Sequence, residues 1–352
     1  MTTLLVHLLT TSALAQAPGD FGIPLKVLAP ADLLNAWGDG TTVGSPAVAS
    51  HTVAGNGNPP ILMLYETRIT AASTACPAGT WGIGLAYRFG GGDFTDTGPV
   101  VTPDQDFYTC VAAHPSIVAL DNDTWLIYFK AEQDPDTCNP KAQWGCDRYP
   151  GIGRFILQYN GRNGNVLNYS VTSVDTTPVL TQVAQNMGYP SVMFADGEFH
   201  MAYGQFPDIY LTSSALSGAY NTPAYPSLTS GISATGWEED ELYTPSLLCR
   251  TNADFALYAG GRIYDSTGTI VDQGIGRFDS TDLSNWTEDA NGPLLRSSNG
   301  DPALRHATMV SSGGHTGFGL FYTETNTSGI NEMWLTTTLL WDRKDIDVQR
   351  CP

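Results

Sequence analysis

The feature that most constrains the fold is a short pattern that recurs five times along the chain. Each copy has small or polar residues, a proline, an apolar strand, a turn and a second strand that ends in tyrosine. The proline and the tyrosine are 13 residues apart in the second, third and fourth copies and 19 apart in the first. The fifth copy has Ala307 at the place of the proline. We call the copies repeats 1 to 5, and they cover residues 44–65, 113–128, 188–203, 243–258 and 305–322.

Self-similarity at a spacing of 55 to 75 residues indicates an array of equivalent structural units. A hairpin cannot bury both of its faces alone, so a ring of five units satisfies the pattern. A third short strand is expected after each tyrosine, and helical periodicity is weak everywhere except at residues 30–37. The sequence therefore predicts an all-β fold, a five-bladed β-propeller, as one domain over residues 16–352. The expected third strands are Trp81–Tyr87, Gly151–Tyr159, Asp208–Thr212, Gly274–Phe278 and Glu332–Leu340.

Charge and the N-terminal segment restrict the partners. The chain has 16 Lys and Arg against 35 Asp and Glu, for a net charge of −19, which repels a phosphate backbone and argues against nucleic acid. Residues 1–15 contain an apolar stretch that ends Ala13-Leu14-Ala15, the pattern of a cleaved signal peptide. The alternative is a disordered apolar N-terminus that follows a misassigned start. We expect a secreted protein, extracellular or periplasmic, that is monomeric and has no membrane partner.

Six cysteines suit an exported, oxidised protein, although reduced structural thiols are the alternative. The sequence does not choose among the possible pairings. Cys138 with Cys146 is favoured because only a short polar loop separates them. Cys249 with Cys351 would then fasten the C-terminus to repeat 4 and leave Cys76 with Cys110.

Polar residues occur at equivalent places in every repeat. In a ring of hairpins, the start of each first strand and the end of each second strand lie on the same face, so we expect a binding site at the channel mouth. The first set precedes the proline or its equivalent and consists of Ser45, His114, Tyr189, Thr244 and His306. The second set follows the tyrosine and consists of Glu66, Lys130, Gln205, Arg262 and Glu324.

The repeat pattern resembles the five-bladed propellers of the furanosidase-type glycosidases, the clan of arabinanases, β-xylosidases, arabinofuranosidases and invertases. Residues 279–286, Asp-Ser-Thr-Asp-Leu-Ser-Asn-Trp, are similar to the S-x-D-L-x-x-W stretch on the outer strands of that clan. There the aspartate accepts turn amides and the tryptophan packs on the blade. The resemblance implies a carbohydrate-active protein that hydrolyses a neutral oligosaccharide or polysaccharide at the channel mouth.

The chain departs from that clan at the catalytic acids. A glycosidase needs one carboxylic acid to protonate the leaving oxygen and a second carboxylate as base or nucleophile. The positions where the clan has these acids carry Ser45, His114 and Tyr189. Only His306 matches, at a histidine that in some members orients water or a metal. The resemblance thus implies Ca²⁺ or another cation near the channel, with no cofactor certain.

Rearranged residues would then have to perform the chemistry. Each candidate also has an ordinary structural role as a hydrogen-bonded lining, a solvated rim or a turn. The catalytic candidates are Glu66, Glu241, Asp301, Glu324, His114 and His306. The substrate-binding candidates are Ser45, Tyr189, Thr244, Arg262, Arg305 and Gln205.

Two other classes of function stay open. The chain could be a glycan-binding module that kept the scaffold and lost the carboxylates, or an extracellular interaction propeller without a small ligand. The missing acids argue against a glycosidase, and the polar mouth argues against a propeller without a ligand. The sequence contains no G-x-S-x-G elbow, P-loop or H-E-x-x-H motif, so other hydrolytic and nucleotide chemistries lack support.

Overall fold

Short apolar runs separated by turn residues become strands throughout the molecule, as a computed structural model shows. It describes residues 23–34, 37–51, 60–70, 76, 79–89, 92–103, 108–132, 150–164, 166–181, 187–216, 218–223, 225–232, 236–251, 253–298, 303–312, 317–337 and 351. The strands are β1 (Leu25–Leu28), β2 (Gly44–Ser50), β3 (Pro60–Thr70), β4 (Thr80–Phe89), β5 (Thr95–Val101), β6 (Val111–Ala119), β7 (Thr124–Glu132), β8 (Pro150–Asn163), β9 (Val166–Val174), β10 (Leu180–Thr181), β11 (Met187–Ala195), β12 (Glu198–Gln205), β13 (Asp208–Ser214), β14 (Glu241–Thr251), β15 (Asp254–Tyr264), β16 (Ile270–Ser280), β17 (Thr287–Glu288), β18 (Leu295–Ser298), β19 (Ala303–Ser312), β20 (Gly317–Thr325) and β21 (Asn331–Thr337).

Each repeat is an antiparallel hairpin extended by a third strand. Repeat 1 pairs β2, β3 and β4, and repeats 2 to 5 pair β6–β8, β11–β13, β14–β16 and β19–β21 in the same way. One parallel bridge between Trp81 and Val111 joins the sheets of repeats 1 and 2. Among the described residues, the predicted all-β fold is confirmed, and the weak helical signal becomes a single turn of 3-10 helix at Pro30–Asp32.

The first strands of the five repeats lie side by side around the middle of the molecule. Strand β2 contacts β6, followed in turn by β11, β14 and β19, and β19 contacts β2 again. The described strand nearest the N-terminus, β1, pairs antiparallel with β21 of repeat 5. A bridge between Thr42 and Asn331 adds a second link between the start of repeat 1 and repeat 5. These contacts bring the two ends of the array together.

The hydrophobic core is a series of layers between neighbouring sheets. Because side chains alternate along a strand, Leu62 and Leu64 of β3 pack toward repeat 2, whereas Ile61 and Met63 pack toward repeat 5. Similar layers lie between repeats 2 and 3, 3 and 4, and 4 and 5. The tyrosine that ends each repeat is buried in one of these layers. Burial on both faces explains the continuous apolar runs of these strands.

Hydroxyl side chains connect adjacent first strands. The serine that follows the repeated proline accepts a hydrogen bond from a main-chain N–H of the next repeat in three places. The pairs are Ser116 Oγ with Val192 N at 2.9 Å, Ser191 Oγ with Leu247 N at 2.8 Å, and Ser246 Oγ with Met309 N at 3.0 Å. Thr308 Oγ1 of repeat 5 instead donates to the carbonyl of Pro46 in repeat 1. The Pro-Ser pattern therefore has a structural role between repeats.

Two predicted disulfides are present. Cys76 bonds to Cys110, and Cys249 bonds to Cys351, which ties the C-terminal end to repeat 4. The predicted pair Cys138 and Cys146 lies outside the described residues, as does the predicted signal segment of residues 1–15. In the part of the chain that the structure describes, no helix is long and apolar enough to cross a membrane.

The outer-strand motif that resembles the glycosidase clan has the predicted structural role. Asp282 Oδ1 accepts the amides of Ser284 at 2.9 Å and Asn285 at 2.8 Å, and Trp286 packs against the layer between repeats 3 and 4. These hydrogen bonds, that from the Asn285 amide above all, lower the pKa of Asp282 to about 2. The motif is therefore a turn that closes an outer strand.

His51 is fully buried directly after β2 and is surrounded by repeat 2. Its Nδ1 lies 2.9 Å from the Tyr169 hydroxyl and its Nε2 3.4 Å from Asp123 Oδ1. The rings of Trp125 and Tyr159 meet it edge-on, with centroids 4.7 and 4.4 Å away. Burial lowers the pKa of His51, and nearby Asp123 opposes that shift without reversing it. The folded protein thus holds this imidazole neutral.

The serine contacts between repeats lead to a prediction on stability. Ser191→Ala and Ser246→Ala each leave a buried N–H without its acceptor, so each should lower the free energy of unfolding by about 1–3 kcal/mol. Chemical denaturation measures the change. The matched control is Ser173→Ala on the exposed side of β9, for which we expect a change within about 0.5 kcal/mol. Equal effects at the three positions would contradict the structural role of the Pro-Ser pattern.

A second prediction concerns pH. Because the pKa of His51 is lower in the folded than in the unfolded chain, the unfolded state binds more protons in acid. The stability contributed by neutral His51 should be complete above about pH 6.5 and decline as the pH falls below it. Denaturation from about pH 7 to about pH 5 should show this decline in the wild type and a smaller one in His51→Gln. The exposed Ser173→Ala variant serves again as control and should retain the wild-type slope. An unchanged slope in His51→Gln would refute the prediction.

Candidate functional site

A bulge interrupts each first strand at the same place. The strand register shifts between Gly44 and Ala47 in repeat 1, and equivalent shifts occur in the other four repeats. The residue before the proline, or before Ala307, has the left-handed backbone that L-residues rarely adopt. Its φ is +48° at Ser45, +49° at His114, +56° at Tyr189, +47° at Thr244 and +50° at His306. We call these five the ring residues.

The bulges create a pocket at the centre of the ring. It is lined by the five ring residues and by the two residues that follow each of them, together with Ile117. It encloses about 420 Å³ when the open space at its mouth is counted. We call it the axial pocket. Among the described residues that line it there is no carboxylate.

Glu66 of β3 contacts the ring residue His114 but does not line the axial pocket. Its side chain is buried, and Oε2 lies 2.9 Å from both the backbone N and the Nδ1 of His114. Ser45 Oγ lies 2.7 Å from the same Nδ1. A carboxylate and a hydroxyl therefore meet the same ring nitrogen, and the carboxylate fixes the orientation of the imidazole.

Three rings stack within the pocket. His114 lies over His306 with centroids 4.7 Å apart and an interplanar angle of 23°. Tyr189 contacts both, at 4.1 Å from His114 and 5.4 Å from His306. Behind Tyr189, Lys130 Nζ lies 5.4 Å from the ring centroid, a cation–π distance. The two predicted histidines are thus brought into direct contact.

The buried carboxylate of Glu66 stays ionised. Burial, the largest single influence, would raise its pKa, but the charge and hydrogen bonds of His114 and the charge of His306 hold the pKa well below its usual range. A group that is ionised at neutral pH cannot serve as the proton donor of a glycosidase. Glu66 is therefore suited to orient and polarise His114, not to protonate a leaving oxygen.

Ser45, His114 and Glu66 do not form a nucleophilic triad. In such a triad the serine contacts one nitrogen of the imidazole and the carboxylate contacts the other. Here Ser45 Oγ and Glu66 Oε2 both lie at Nδ1. The arrangement instead leaves Nε2 of His114 as the nitrogen that Glu66 does not hold.

Glu241 and Arg262 form a separate ion pair. Arg262 Nη1 lies 3.1 Å from Glu241 Oε2, and the Tyr264 hydroxyl donates to the same oxygen at 2.5 Å. The guanidinium also lies 3.9 Å from the ring centroid of Tyr243. Burial, the largest single influence, would lower the pKa of Arg262. The contacts with Tyr243, Glu241 and Tyr264 outweigh it and hold the pKa above its usual range. Glu241 is thus neutralised by Arg262 and does not line the axial pocket.

The remaining candidates are distributed around this centre. Gln205 ends β12 and is half-buried, and Glu324 of β20 stands opposite Glu332 in the sheet, outside the pocket lining. The backbone of Arg305 pairs with Thr323. Asp301 lies outside the described residues. The structure therefore brings together Glu66, His114, His306 and the other ring residues, but not Glu241 or Glu324.

Sequence reasoning located the ring residues but missed their conformation. A following proline excludes the right-handed helical region without choosing between extended and left-handed backbone. The contact between Glu66 and His114 was also missed, since the two lie in different repeats. A usable signal was the polar residue after each tyrosine, which placed Glu66 on the correct face.

The fold is similar to that of solved carbohydrate-related proteins. BT0996, solved as a complex with RGII, matches with a TM-score of 0.64 at 12% identity, covering 91% of this protein and 91% of that one. A thermostable family-43 glycoside hydrolase matches with a TM-score of 0.56 at 14% identity, covering 90% and 95%. A family 117 glycoside hydrolase, Zg3597 of the marine bacterium Zobellia galactanivorans, matches with a TM-score of 0.56 at 15% identity. The match covers 92% of this protein and 91% of that one. No protein-family model matches the chain, and no curated protein sequence matches it.

These matches establish the fold. Family-43 and family-117 glycoside hydrolases are β-propellers, and the matched regions cover nine-tenths or more of this chain. The predicted all-β propeller is thereby confirmed. At such low identities the likeness does not extend to activity, so function has to be argued from the site.

The left-handed ring residues lead to a prediction that separates strain from packing. Thr244 is β-branched at φ +47°, where glycine avoids a penalty of about 1–2 kcal/mol. Thr244→Gly should therefore be more stable than Thr244→Ala by about 1 kcal/mol. The control pair is Thr172→Gly and Thr172→Ala on exposed β9, where glycine should be the less stable. If the glycine variant were less stable than the alanine variant at Thr244 as well as at Thr172, the result would contradict backbone strain at the ring.

Proposed function

We propose that the protein is a secreted, five-bladed β-propeller that binds a neutral oligosaccharide in the axial pocket. The observation that carries the proposal is the ring of left-handed residues, which presents two imidazoles, a tyrosine ring and two hydroxyls to one small concave space. Strained backbone at five equivalent positions, each held by a bulge, is typical of a functional site. The order of the first strands supports the count of five blades.

The pocket chemistry suits a sugar. A pyranose or furanose ring offers hydroxyls around its edge and C–H groups on its faces, which match hydrogen-bonding groups and aromatic rings respectively. Tyr189 supplies an aromatic surface at the pocket. Thr244 Oγ1 and Gln205 Oε1 are buried atoms without a hydrogen-bond partner among the described residues, and Thr244 lines the pocket. A ligand hydroxyl would satisfy such an atom, which is otherwise costly to bury.

Charge favours a neutral ligand over a polyanion. The chain carries a net charge of −19, which repels extended anionic polymers. Inside the site, Glu66 adds a buried carboxylate beside the two imidazoles, which disfavours a further anion. The glycoside hydrolase names of the structural neighbours and the two disulfides support a carbohydrate ligand and an extracellular or periplasmic location.

Hydrolysis is the second candidate function, and the Glu66–His114 contact favours it. A carboxylate at Nδ1 orients the imidazole and stabilises its protonated form, which leaves Nε2 for proton transfer. The partner for water activation would have to come from another group at the mouth, and Asp301 stays a candidate. Binding is the better supported function, because the described pocket lining lacks the pair of carboxyl groups that glycosidases use.

Calorimetric titration with a panel of neutral oligosaccharides tests the proposal. Tyr189→Ala should weaken binding about tenfold, the effect of about 1.4 kcal/mol. Tyr225→Ala, at a tyrosine that is 81% exposed and is not part of the axial pocket lining, is the matched control and should bind like the wild type. No binding to any neutral sugar, or equal affinity of wild type and Tyr189→Ala, would overturn the proposal.

The same samples distinguish binding from hydrolysis. Release of reducing ends by the wild type, abolished in His114→Gln and Glu66→Gln while sugar affinity is kept, would establish the second candidate. Binding without release of reducing ends would identify a glycan-binding propeller.

A further inference from the structure

One position near the end of each second strand is equivalent in all five repeats. It pairs, in the antiparallel register, with the residue that precedes the ring residue of its own repeat. We call these places the seam positions. They are Glu66, Lys130, Gly204, Gly260 and Thr323, and they pair with Gly44, Ala113, Gly188, Tyr243 and Arg305 respectively.

In repeats 1 and 5 the side chain at the seam position holds the ring residue of the following repeat. Glu66 Oε2 accepts the backbone N–H of His114 at 2.9 Å, and Thr323 Oγ1 accepts that of Ser45 at 3.1 Å. Both hydrogen bonds meet the backbone at a bulge, where φ is +49° and +48°. Such strained residues persist because their surroundings restrain them. The seam position is therefore a place from which one repeat positions the ring residue of the next.

Lys130 occupies the seam position of repeat 2, and its neighbour is the ring residue Tyr189. An ammonium group has no lone pair with which to accept an N–H. Its Nζ lies instead 5.4 Å from the ring centroid of Tyr189, within cation–π distance. Glu132 lies two residues further along β7, on the same face of the strand, and its Oε1 is 2.7 Å from the ammonium. Both side chains are largely buried, so salt screens this ion pair little.

Two paired glycines make room for this contact. Gly188 and Gly204 stand opposite each other in the sheet of repeat 3. A Cβ on Gly188 would lie 2.7 Å from Cδ of Lys130, so the lysine stem occupies the place of a side chain there. A Cβ on Gly204 would lie 3.3 Å from Cδ2 of Tyr189, which is tighter than an ordinary contact. The lysine stem and the tyrosine ring thus fill space that glycine leaves free.

We propose that Lys130 is the positioning residue of Tyr189, the aromatic surface that the axial pocket presents to a sugar. The ammonium, anchored by Glu132, holds a ring that His114 also contacts, with centroids 4.1 Å apart. A ring that is held before binding loses less conformational freedom when a ligand packs on it. The effect on affinity rests on the proposed sugar site, whereas the restraint of the ring does not depend on a ligand.

Ring mobility tests the positioning without a ligand. NMR relaxation of the full chain with isotope-labelled tyrosine gives an order parameter for Tyr189, whose signal is identified by its loss in Tyr189→Phe. Lys130→Met/Glu132→Gln should lower this order parameter, and it removes both charges together so that no buried carboxylate loses its cation. Lys130→Arg should retain the wild-type value. The matched control is Lys26→Met/Glu332→Gln at another lysine–glutamate pair, which should leave the value unchanged.

Sugar affinity tests the consequence for binding. The probes are cellotriose, xylotriose, arabinotriose and galactotriose, each titrated by calorimetry. Lys130→Met/Glu132→Gln should weaken binding of a probe by about threefold to tenfold, the range expected for a partly desolvated cation–π contact. In a Tyr189→Ala background the same change should have no further effect on affinity, because Lys130 acts through Tyr189. A purely structural role would give the same loss in both backgrounds.

The outcomes separate this proposal from the proposed function. The melting temperature of each variant shows whether it folds. If the double variant does not fold, Gly188→Ala replaces it in both measurements, because it displaces the lysine stem and keeps both charges. Equal order parameters in the wild type and the lysine variant, or an equal loss of affinity with and without Tyr189, would refute the positioning role. A wild type that binds none of the probes would overturn the proposed function alone, since ring mobility is measured without sugar.

Discussion

The bulge before the repeated proline is the constraint on which the rest of the site depends. It gives five residues, from Ser45 to His306, a left-handed backbone with φ between +47° and +56°. Left-handed conformations cost about 1–3 kcal/mol each outside glycine, so the surrounding ring has to over-determine them. Hydroxyls one position beyond the proline, such as Ser191 and Ser246, supply part of that restraint by binding the next first strand. The same few residues thus join the repeats and shape the pocket.

Much of the fold could be predicted because its information is repeated. An apolar strand that ends in a buried tyrosine occurs five times, so the hairpins, the shared face and the ring residues followed from spacing. The role of Asp282 in its turn followed from local chemistry alone. What could not be predicted depends on contacts between repeats. Glu66 and His114 are 48 residues apart, and their contact requires the final arrangement of β3 beside β6.

The five positions share a backbone but not a chemistry. Repeats 5, 1 and 2 contribute His306, Ser45 with Glu66, and His114, which form one continuous polar arc. Repeats 3 and 4 contribute Tyr189 and Thr244, a flat ring and a buried hydroxyl. Within the arc, the Glu66 carboxylate binds a ring residue directly through its backbone N–H and its imidazole. The polarity of the pocket is therefore concentrated on one side.

This asymmetry decides how a ligand can be recognised. A pocket on an axis of five equivalent units would accept a small ligand in five equivalent orientations, which lowers specificity. Unequal side chains on an equal backbone remove that degeneracy, because His114 and Tyr189 each occupy a single position of the ring. Glu66 adds to this asymmetry, since its buried carboxylate lies against His114 and does not contact the five ring residues equally. The repeated scaffold thus forms the pocket, and its departures from repetition make the pocket asymmetric.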